Sequence, residues 1–275
     1  NISLTANGGV EAQATISSIY ASAASNAEAH LTIGDITLNA TATEAGGNAT
    51  ATISEYIFAS ADSNATATLN IGDISLNATA NGNGGIATAS VEYSIYATAT
   101  SNATANVTIG DISLDASATG LGGSANASMY EIYAYADDNA HADVTIGDIT
   151  LTANGGINAD ATMSTAYASA ASNAEAHLTI GNVSITATAT EVGGDANAAI
   201  TDYIYANADS NATATVNIGD ISMTAIANGN GGSANAGLEY SIYATATSNA
   251  TANVTIGEIT IAASATGLGG SADAS

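Results

Sequence analysis

The feature that most constrains this chain is an 18-residue segment that occurs twice without change. The segment YSIYATATSNATANVTIG spans residues 93–110 and returns at residues 240–257. Weaker copies fill the rest of the 275 residues, and each ends in Ile-Gly followed by Asp, Asn or Glu, near residues 35, 73, 111, 148, 182, 220 and 258. A regular spacing of 34 to 38 residues indicates a tandem-repeat protein, in which each unit packs mainly on its neighbours.

A longer repeat of 147 residues is superimposed on the short one. Residues 21–34 recur at 168–181, and residues 117–125 recur at 264–272. The chain begins in one phase of this long repeat and stops in another. We therefore expect residues 1–275 to form a single continuous array that is a slice of a longer chain.

Each unit contains four stretches in which apolar and polar residues alternate. Residues 36–42, ITLNATA, place Ile, Leu and Ala on one parity and Thr and Asn on the other. A period of two residues is typical of β-strands that bury one face. In the third unit, the residues predicted to be buried are Ile74, Leu76, Ala78, Ala87, Ala89, Val91, Ala103, Ala105, Val107 and Ile109.

Four kinds of corner separate the strands, as at residues 84–85 (Gly-Gly), 92–93 (Glu-Tyr), 101–102 (Ser-Asn) and 110–111 (Gly-Asp). Gly supplies the positive φ angles of tight turns, and Asn tolerates the left-handed conformation. We expect two strands and two corners to close one coil, so that each unit makes two coils of about 17 to 21 residues.

These patterns predict an all-β fold, a parallel β-solenoid in which equivalent residues stack from coil to coil. An antiparallel β meander fibre is the alternative. The absence of Pro favours the solenoid, because every interior strand then needs both rows of backbone hydrogen bonds. With two coils per unit and about 4.8 Å per coil, the array would span roughly 70 Å.

The composition excludes several classes of function. The chain has no Lys, Arg or Cys, and its 25 acidic residues give a formal net charge of −25. Without cations to neutralise phosphates, a nucleic-acid partner is excluded. The missing Cys excludes disulfides and thiolate metal sites. No run of 18 apolar residues predicts a membrane span.

Carboxylates at the Gly-Asp and acidic-Tyr corners form the candidate metal site. With two coils per unit, both corners would fall on one edge at alternate coils and form a single negative column. Calcium is the cofactor that such oxygen ligands would take, and a hydrated edge that keeps filaments apart is the other interpretation. The residues of this predicted divalent-cation edge are Asp35, Glu55, Asp73, Glu92, Asp111, Glu131, Asp148, Asp220, Glu239 and Glu258.

Histidines and tyrosines are interpreted as structural. His30, His141 and His177 lie on the outward parity, where we expect solvated surface residues. No base is placed to activate a Ser or Thr, so no catalytic residues are predicted and the chain is not expected to be an enzyme. The tyrosines near the acidic corner, such as Tyr93 and Tyr96, are expected to stack as an aromatic ladder that closes the thin core. A stripe for lateral packing is the alternative.

The Ala-x-Ala strands and the Gly-Gly and Ser-Asn corners resemble the β-solenoid shafts of bacterial surface adhesins of the filamentous-haemagglutinin type. The segment Gly82–Gly85 is also similar to the calcium β-roll repeat of secreted toxins. However, residues 86–88 (Ile-Ala-Thr) replace the Asp which that family needs, so its calcium sites are not transferred.

The adhesin resemblance implies a structural, extracellular or cell-surface role, as an acidic and protease-resistant rod of a microbial filament, adhesin or biofilm matrix. Its expected partners are other copies, in fibres or lateral bundles, and a host-surface or glycan partner. Besides a calcium-binding module, the alternative is an ice-binding solenoid. That alternative is suggested by the Thr-x-Thr pairs at residues 41 and 43, 50 and 52, and 98 and 100, with a spacing of about 6.7 Å along a strand.

Overall fold

The structure is a computed structural model that describes residues 1–275. It contains 28 β-strands and no helix, so it has no helical segment able to cross a membrane. The strands of the first four coils are β1 (Ile2–Gly8), β2 (Glu11–Ile16), β3 (Ile19–Ala24), β4 (Glu28–Ile33), β5 (Ile36–Ala42), β6 (Asn48–Ile53), β7 (Ile57–Asp62), β8 (Thr66–Ile71), β9 (Ile74–Ala80), β10 (Ile86–Val91), β11 (Ile95–Thr100), β12 (Thr104–Ile109), β13 (Ile112–Ala118), β14 (Ser124–Asp137) and β15 (His141–Ile146).

Three more complete coils and two strands of an eighth coil follow. Their strands are β16 (Ile149–Gly155), β17 (Asn158–Ala170), β18 (Glu175–Ile180), β19 (Val183–Ala189), β20 (Asp195–Ile200), β21 (Ile204–Ala208), β22 (Thr213–Ile218), β23 (Ile221–Ala227), β24 (Ser233–Leu238), β25 (Ile242–Ala246), β26 (Thr251–Ile256), β27 (Ile259–Ala265) and β28 (Ser271–Ala274).

All strand pairs are parallel and in register, which confirms the predicted parallel β-solenoid. Ile36 of β5 pairs with Ile2 of β1 and with Ile74 of β9, and the same alignment holds along the whole array. The pairs build three parallel sheets of 8, 13 and 7 strands. Equivalent residues of successive sequence units therefore lie directly beside each other, one strand spacing apart.

This register corrects the predicted coil length. Each unit makes one coil of 34 to 38 residues and not two, since hydrogen-bonded partners are one whole unit apart. Seven coils at about 4.8 Å then rise only about 34 Å, half the expected height. The physical reason is that two of the four corners do not reverse the chain. Strand β14 runs without interruption through Tyr130 and Glu131, where the sequence suggested a turn.

The coil is flattened into two layers. Strand β14 contacts β13 with one part and β15 with another, as β6 contacts β5 and β7 contacts β8. The 13-stranded sheet thus forms one layer, and the 8- and 7-stranded sheets together form the other. The chain reverses at the Gly-Gly and Ser-Asn corners only. The Gly-Asp and acidic-Tyr corners lie part-way along opposite layers.

The predicted inward parity is confirmed. All ten residues expected to be buried in the third unit are at most 2% exposed, and together with their counterparts they form one continuous core. The alternate residues are only partly exposed, because strands of neighbouring coils flank them. Thr52 and Ser90 depart from the pattern, since both are buried and their hydroxyl oxygens are 2.8 Å apart.

Differences in coil length are confined to corners, so the register survives them. The fourth and fifth coils have two residues at the acidic-Tyr corner, Tyr130-Glu131 and Ser164-Thr165, where the third and sixth coils have three. The Ser-Asn corner keeps its length and has two consecutive positive φ angles, 56° at Ser101 and 62° at Asn102. Two consecutive positive φ angles are the geometry of a type I′ turn.

Candidate functional site

The acidic residues of the Gly-Asp corner form a row along the solenoid axis. The backbone N–H of Asp111 donates to Oδ1 of Asp73 at 2.9 Å, and that of Asp148 donates to Oδ1 of Asp111 at 2.8 Å. Asn182 accepts from the N–H of Asp220 at 2.9 Å in the same way. One side-chain oxygen per coil thus satisfies a backbone donor at the corner, and a neutral amide serves as well as a carboxylate.

The glycine before each of these residues leaves room for that oxygen. A Cβ atom on Gly110 would collide with Oδ1 of Asp73, and a Cβ atom on Gly147 would collide with Oδ1 of Asp111. The Ile-Gly-Asp motif therefore has a local structural cause. The row from the Gly-Asp corner contains Asp35, Asp73, Asp111, Asp148, Asp220 and Glu258, interrupted by Asn182.

The acidic-Tyr corner carries a second, separate row. Ser18 donates its hydroxyl to Glu55 at 2.5 Å, and Ser94 donates to Glu131 at 2.9 Å. The hydrogen bond from Ser18, with a smaller one from Ser17, lowers the pKa of Glu55. Glu92 and Glu239 are exposed at the same corner of their coils.

The single acidic column expected from a two-coil unit is therefore absent. Because each unit makes one coil, the two rows lie on opposite layers with the apolar core between them. Within each row, successive residues are one strand spacing apart and not two. Cation binding along either row stays a prediction.

A shallow recess opens at the acidic-Tyr corner of the fourth and fifth coils. Their corners are one residue shorter than those of the third and sixth coils, which leaves a notch of about 360 Å³. The flanking coils contribute Glu92 and Asp202 to its lining. Ser164, another lining residue, donates to Asp202 at 2.8 Å.

Seven aromatic rings stack along the rod, one per coil. Successive rings lie 4.7 to 5.1 Å apart, and their planes are within 8° of parallel. The predicted ladder is confirmed, but it lies on the outward face of the strands and does not close the core. Its members are Tyr20, Phe58, Tyr96, Tyr133, Tyr167, Tyr205 and Tyr243.

Four side chains of types that can bind metal ions meet on the outer face of the 7-stranded sheet. The register pairs His141 of β15 with Glu175 of β18, and Asp143 with His177. Nε2 of His141 is 2.7 Å from Oδ2 of Asp143, and its Nδ1 is 3.3 Å from Oε2 of Glu175. One donor atom each of His141, Asp143 and His177 lie within 4.8 Å of one another. We call these four residues the histidine cluster.

His141 is more enclosed and more strongly bonded than a solvated surface histidine. Its side chain is 35% exposed, and the ring centroids of His141 and His177 are 5.5 Å apart. The hydrogen bond with Asp143 raises the pKa of His141, and the charges of Asp143 and Glu175 act in the same direction against burial.

His30, which is the 147-residue repeat counterpart of His177, provides an internal comparison. Residues 28–33 have the same sequence as β18, but their neighbour β8 presents Thr66 and Thr68. His30 is 57% exposed and lies 3.7 Å from Glu28. The cluster therefore depends on the meeting of two particular coils and not on the local sequence alone.

Sequence reasoning missed this cluster because it assumed two coils per unit. In that geometry, equivalent positions of successive units would be about 9.6 Å apart. With one coil per unit, the His-x-Asp of residues 141–143 lies directly beside the Glu-x-His of residues 175–177. The signal was present as a 34-residue offset between the two motifs.

The Thr pairs considered for ice binding do not form a common row. Thr52 is buried. Thr98 is flanked by Ser60 and Tyr135 in the neighbouring coils, and Thr100 donates to Asp62 at 2.7 Å.

Comparison with known proteins gives no relative from which a role could be transferred. No protein-family model, curated protein or solved structure matches the chain.

Proposed function

We propose that this chain is a structural shaft, a rigid acidic segment of an extracellular or cell-surface filament. The observation that carries this proposal is the unbroken in-register pairing of equivalent strands from coil to coil. In such a fold, added units lengthen one axis and leave the cross-section unchanged, which is the geometry of a spacer or a fibre.

Continuous interactions along that axis support the proposal. The Gly-Asp row and the aromatic ladder both cross every coil boundary that they meet, so that bending or parting the coils would break both. Each stacked aromatic pair contributes about 0.5–1.5 kcal/mol beyond the burial of its area. The complete absence of Lys and Arg removes every trypsin cleavage site from the surface.

The net charge of −25 suits a rod that stays separate from its neighbours at low salt and associates laterally when cations screen or bridge it. Partners of this kind, other copies of the chain in fibres or bundles, belong to the proposal. A host-surface or glycan partner is not part of the proposal, because no group of residues in this chain points to one.

The proposal is tested by finding where the protein lies on its source cells and whether the structures that carry it are filaments. Antibodies raised against residues 1–275 are applied to intact source cells and followed by immunogold electron microscopy. We expect label on filaments or on a coat outside the cell, and resistance of those filaments to trypsin. Label confined to the cell interior, with none gained outside, would overturn the extracellular role.

A second measurement tests the mechanical role. Single-molecule force spectroscopy of the chain between flanking marker domains should show high-force rupture in steps of about one coil. Smooth extension at low force, below that of the markers, would contradict a load-resisting shaft.

A further inference from the structure

We propose that the histidine cluster is a binding site for a divalent transition-metal ion, with His141, Asp143 and His177 as ligands and Glu175 as the residue that orients His141. This site is independent of the acidic rows and of the proposed shaft function. It involves two histidines, His141 and His177, that the sequence analysis interpreted as solvated surface residues.

The geometry requires only small side-chain movements to accept an ion. The three donor atoms already lie within 4.8 Å of one another on two adjacent strands. Ligands at 2.0–2.1 Å from a tetrahedral ion are about 3.4 Å apart. The His141–Asp143 pair at 2.7 Å would therefore open slightly, and no donor pair would have to close by more than about 1.4 Å. The rigid in-register pairing of β15 with β18 fixes the backbone of all four residues.

Glu175 completes a recurrent arrangement around a ligating histidine. Nε2 of His141 points to the Asp143 side of the cluster at 2.7 Å, while Nδ1 lies 3.3 Å from Oε2 of Glu175. A carboxylate that accepts from one ring nitrogen fixes the tautomer, which leaves the other nitrogen free to bind metal. Glu175 is therefore a positioning residue and not a ligand in this proposal.

The donor set selects the class of ion. Two imidazole nitrogens and one carboxylate suit Zn²⁺, Cu²⁺, Ni²⁺ or Fe²⁺, whereas Ca²⁺ and Mg²⁺ prefer oxygen ligands alone. Three protein ligands leave coordination positions for water. The two histidines thus distinguish this cluster from the carboxylates elsewhere on the rod.

An unsatisfied polar atom lies next to the cluster. Asn106 is the register partner of Asp143 on the preceding coil, and its Oδ1 is buried without a hydrogen-bond partner. Buried polar atoms are almost always satisfied, so an orphan acceptor beside a group of metal ligands needs an explanation. A metal-bound water would supply the missing donor.

The test is isothermal titration calorimetry of the full chain with zinc chloride as the probe, in the presence of excess calcium to occupy the oxygen-only sites. The variants are His141→Thr, His177→Thr and Glu175→Gln, with His30→Thr as the matched control. Thr occupies the equivalent positions of neighbouring coils, so these variants should fold, as far-UV circular dichroism checks.

We expect one high-affinity zinc ion per wild-type chain and per His30→Thr chain, and no such ion with His141→Thr or His177→Thr. Glu175→Gln should keep the stoichiometry and weaken binding by about 10- to 100-fold. Wild-type zinc binding that calcium abolishes would overturn the proposal. So would equal losses in His30→Thr and His177→Thr, which would indicate unspecific surface binding.

Discussion

At the scale of single residues, polar side chains in this protein mainly complete backbone hydrogen bonding at places where the strands are interrupted. Asp73 and Asn182 illustrate this role, because each accepts the N–H of the equivalent residue one coil further along. On the strand faces, side chains bond to each other instead, as where the amide of Asn235 donates to Oδ1 of Asn197 at 3.3 Å. Stacking in register thus turns one favourable residue into a column of them.

Replacing Asp160 by Asn should stabilise the rod. Asp160 is flanked by Asn126 and Asn197, and desolvation raises its pKa despite a hydrogen bond from Asn197. Since its folded-state pKa is raised, ionised Asp160 is unfavourable in the native state at neutral pH. Its stabilising contribution exists only in acid and is lost as the pH rises through the folded-state value.

For Asp160→Asn we expect a small rise in melting temperature at pH 7, of at most about 2 °C, because Asp160 is exposed and solvent screens much of its charge. The gain should shrink as the pH falls below the folded-state pKa. Asp273→Asn, in the same column but on the last coil, controls for loss of charge. Equal gains in the two variants would contradict a local cause.

Substitutions of Asn102 in the Ser-Asn corner should differ strongly in their effect on the free energy of unfolding. The φ of 62° at Asn102 costs an L-residue about 1–2 kcal/mol that Gly avoids, and a β-branched side chain fits it worst. We expect Asn102→Val to lower the free energy of unfolding by about 1–2 kcal/mol and Asn102→Gly to change it little. Urea denaturation measures both, and an equal effect of the two variants would refute the turn assignment.

At the scale of elements, the inward and outward faces of each strand accept side chains of different size. Inward positions hold mostly Ala, because the two layers approach closely, as Ala59, Ala97 and Ala134 show in one fully buried column. Outward positions accept large residues, and aromatic rings stack there without disturbing the core. Element stability therefore depends on small residues inside and on ladders outside.

Enlarging an inward alanine should be far more harmful than the same change outside. Ala97 is fully buried, whereas its neighbour Thr98 on β11 faces outward. Ala97→Leu should destabilise the rod by at least about 1–3 kcal/mol, because the rigid layers cannot separate locally. Thr98→Leu should change stability by less than about 0.5 kcal/mol. Similar denaturation midpoints for both would contradict the two-layer packing.

Tyr133, Tyr167 and Tyr205 of the aromatic ladder should ionise late in alkaline titration. Burial is the main cause that raises the pKa of Tyr133 and Tyr167, and it raises the pKa of Tyr205 to about 12. Because these folded-state values exceed the unfolded value near 10, their stabilising contribution is complete below pH 10 and is lost as the pH rises further. A fraction of tyrosine ionisation should therefore coincide with unfolding.

Ultraviolet absorbance of tyrosinate, recorded with circular dichroism, measures this coupling. Tyr167→Phe should remove about one late-ionising group and preserve the stack, since Phe58 already occupies a ladder position. If all tyrosines ionise while the β signal is intact, the ladder does not shield its hydroxyl groups.

At the scale of the whole molecule, electrostatic repulsion opposes the stacking that builds the rod. Successive carboxylates of the Gly-Asp row are one strand spacing apart, and the chain contains no Lys or Arg to offset them. At about 4.8 Å, each like-charge pair costs roughly 1 kcal/mol in bulk water. The one-coil unit keeps the spacing of about 4.8 Å that the single column predicted, but it divides the carboxylates between two rows.

Divalent cations should therefore stabilise the rod more than sodium chloride of equal ionic strength does. We expect a higher melting temperature with calcium than with chelator plus matched sodium chloride, because a divalent ion can bridge two carboxylates of a row. Thermal melts followed by circular dichroism measure the difference. Identical melting in all three solutions would support hydrated rows that bind no specific ion.

The sequence by itself determined the strands, their buried parity and their parallel stacking. Alternation such as that of residues 74–80 is a local property of the pleat, and the repeat places identical residues in identical surroundings. The Gly-Gly and Ser-Asn turns could also be predicted from the sequence, since Gly and Asn are the residue types that positive φ angles favour. All of these follow from short-range chemistry.

Only the tertiary structure decided which corners reverse the chain. Glu131 lies inside one continuous strand, and Asp111 lies where two sheets meet in the same layer, although both resemble turns in the sequence. Whether the chain bends slightly or reverses its direction at such a corner depends on hydrogen bonds to the neighbouring coils. No local sequence pattern encodes those bonds. That choice fixed the coil length, separated the acidic rows, and brought His141 and His177 together.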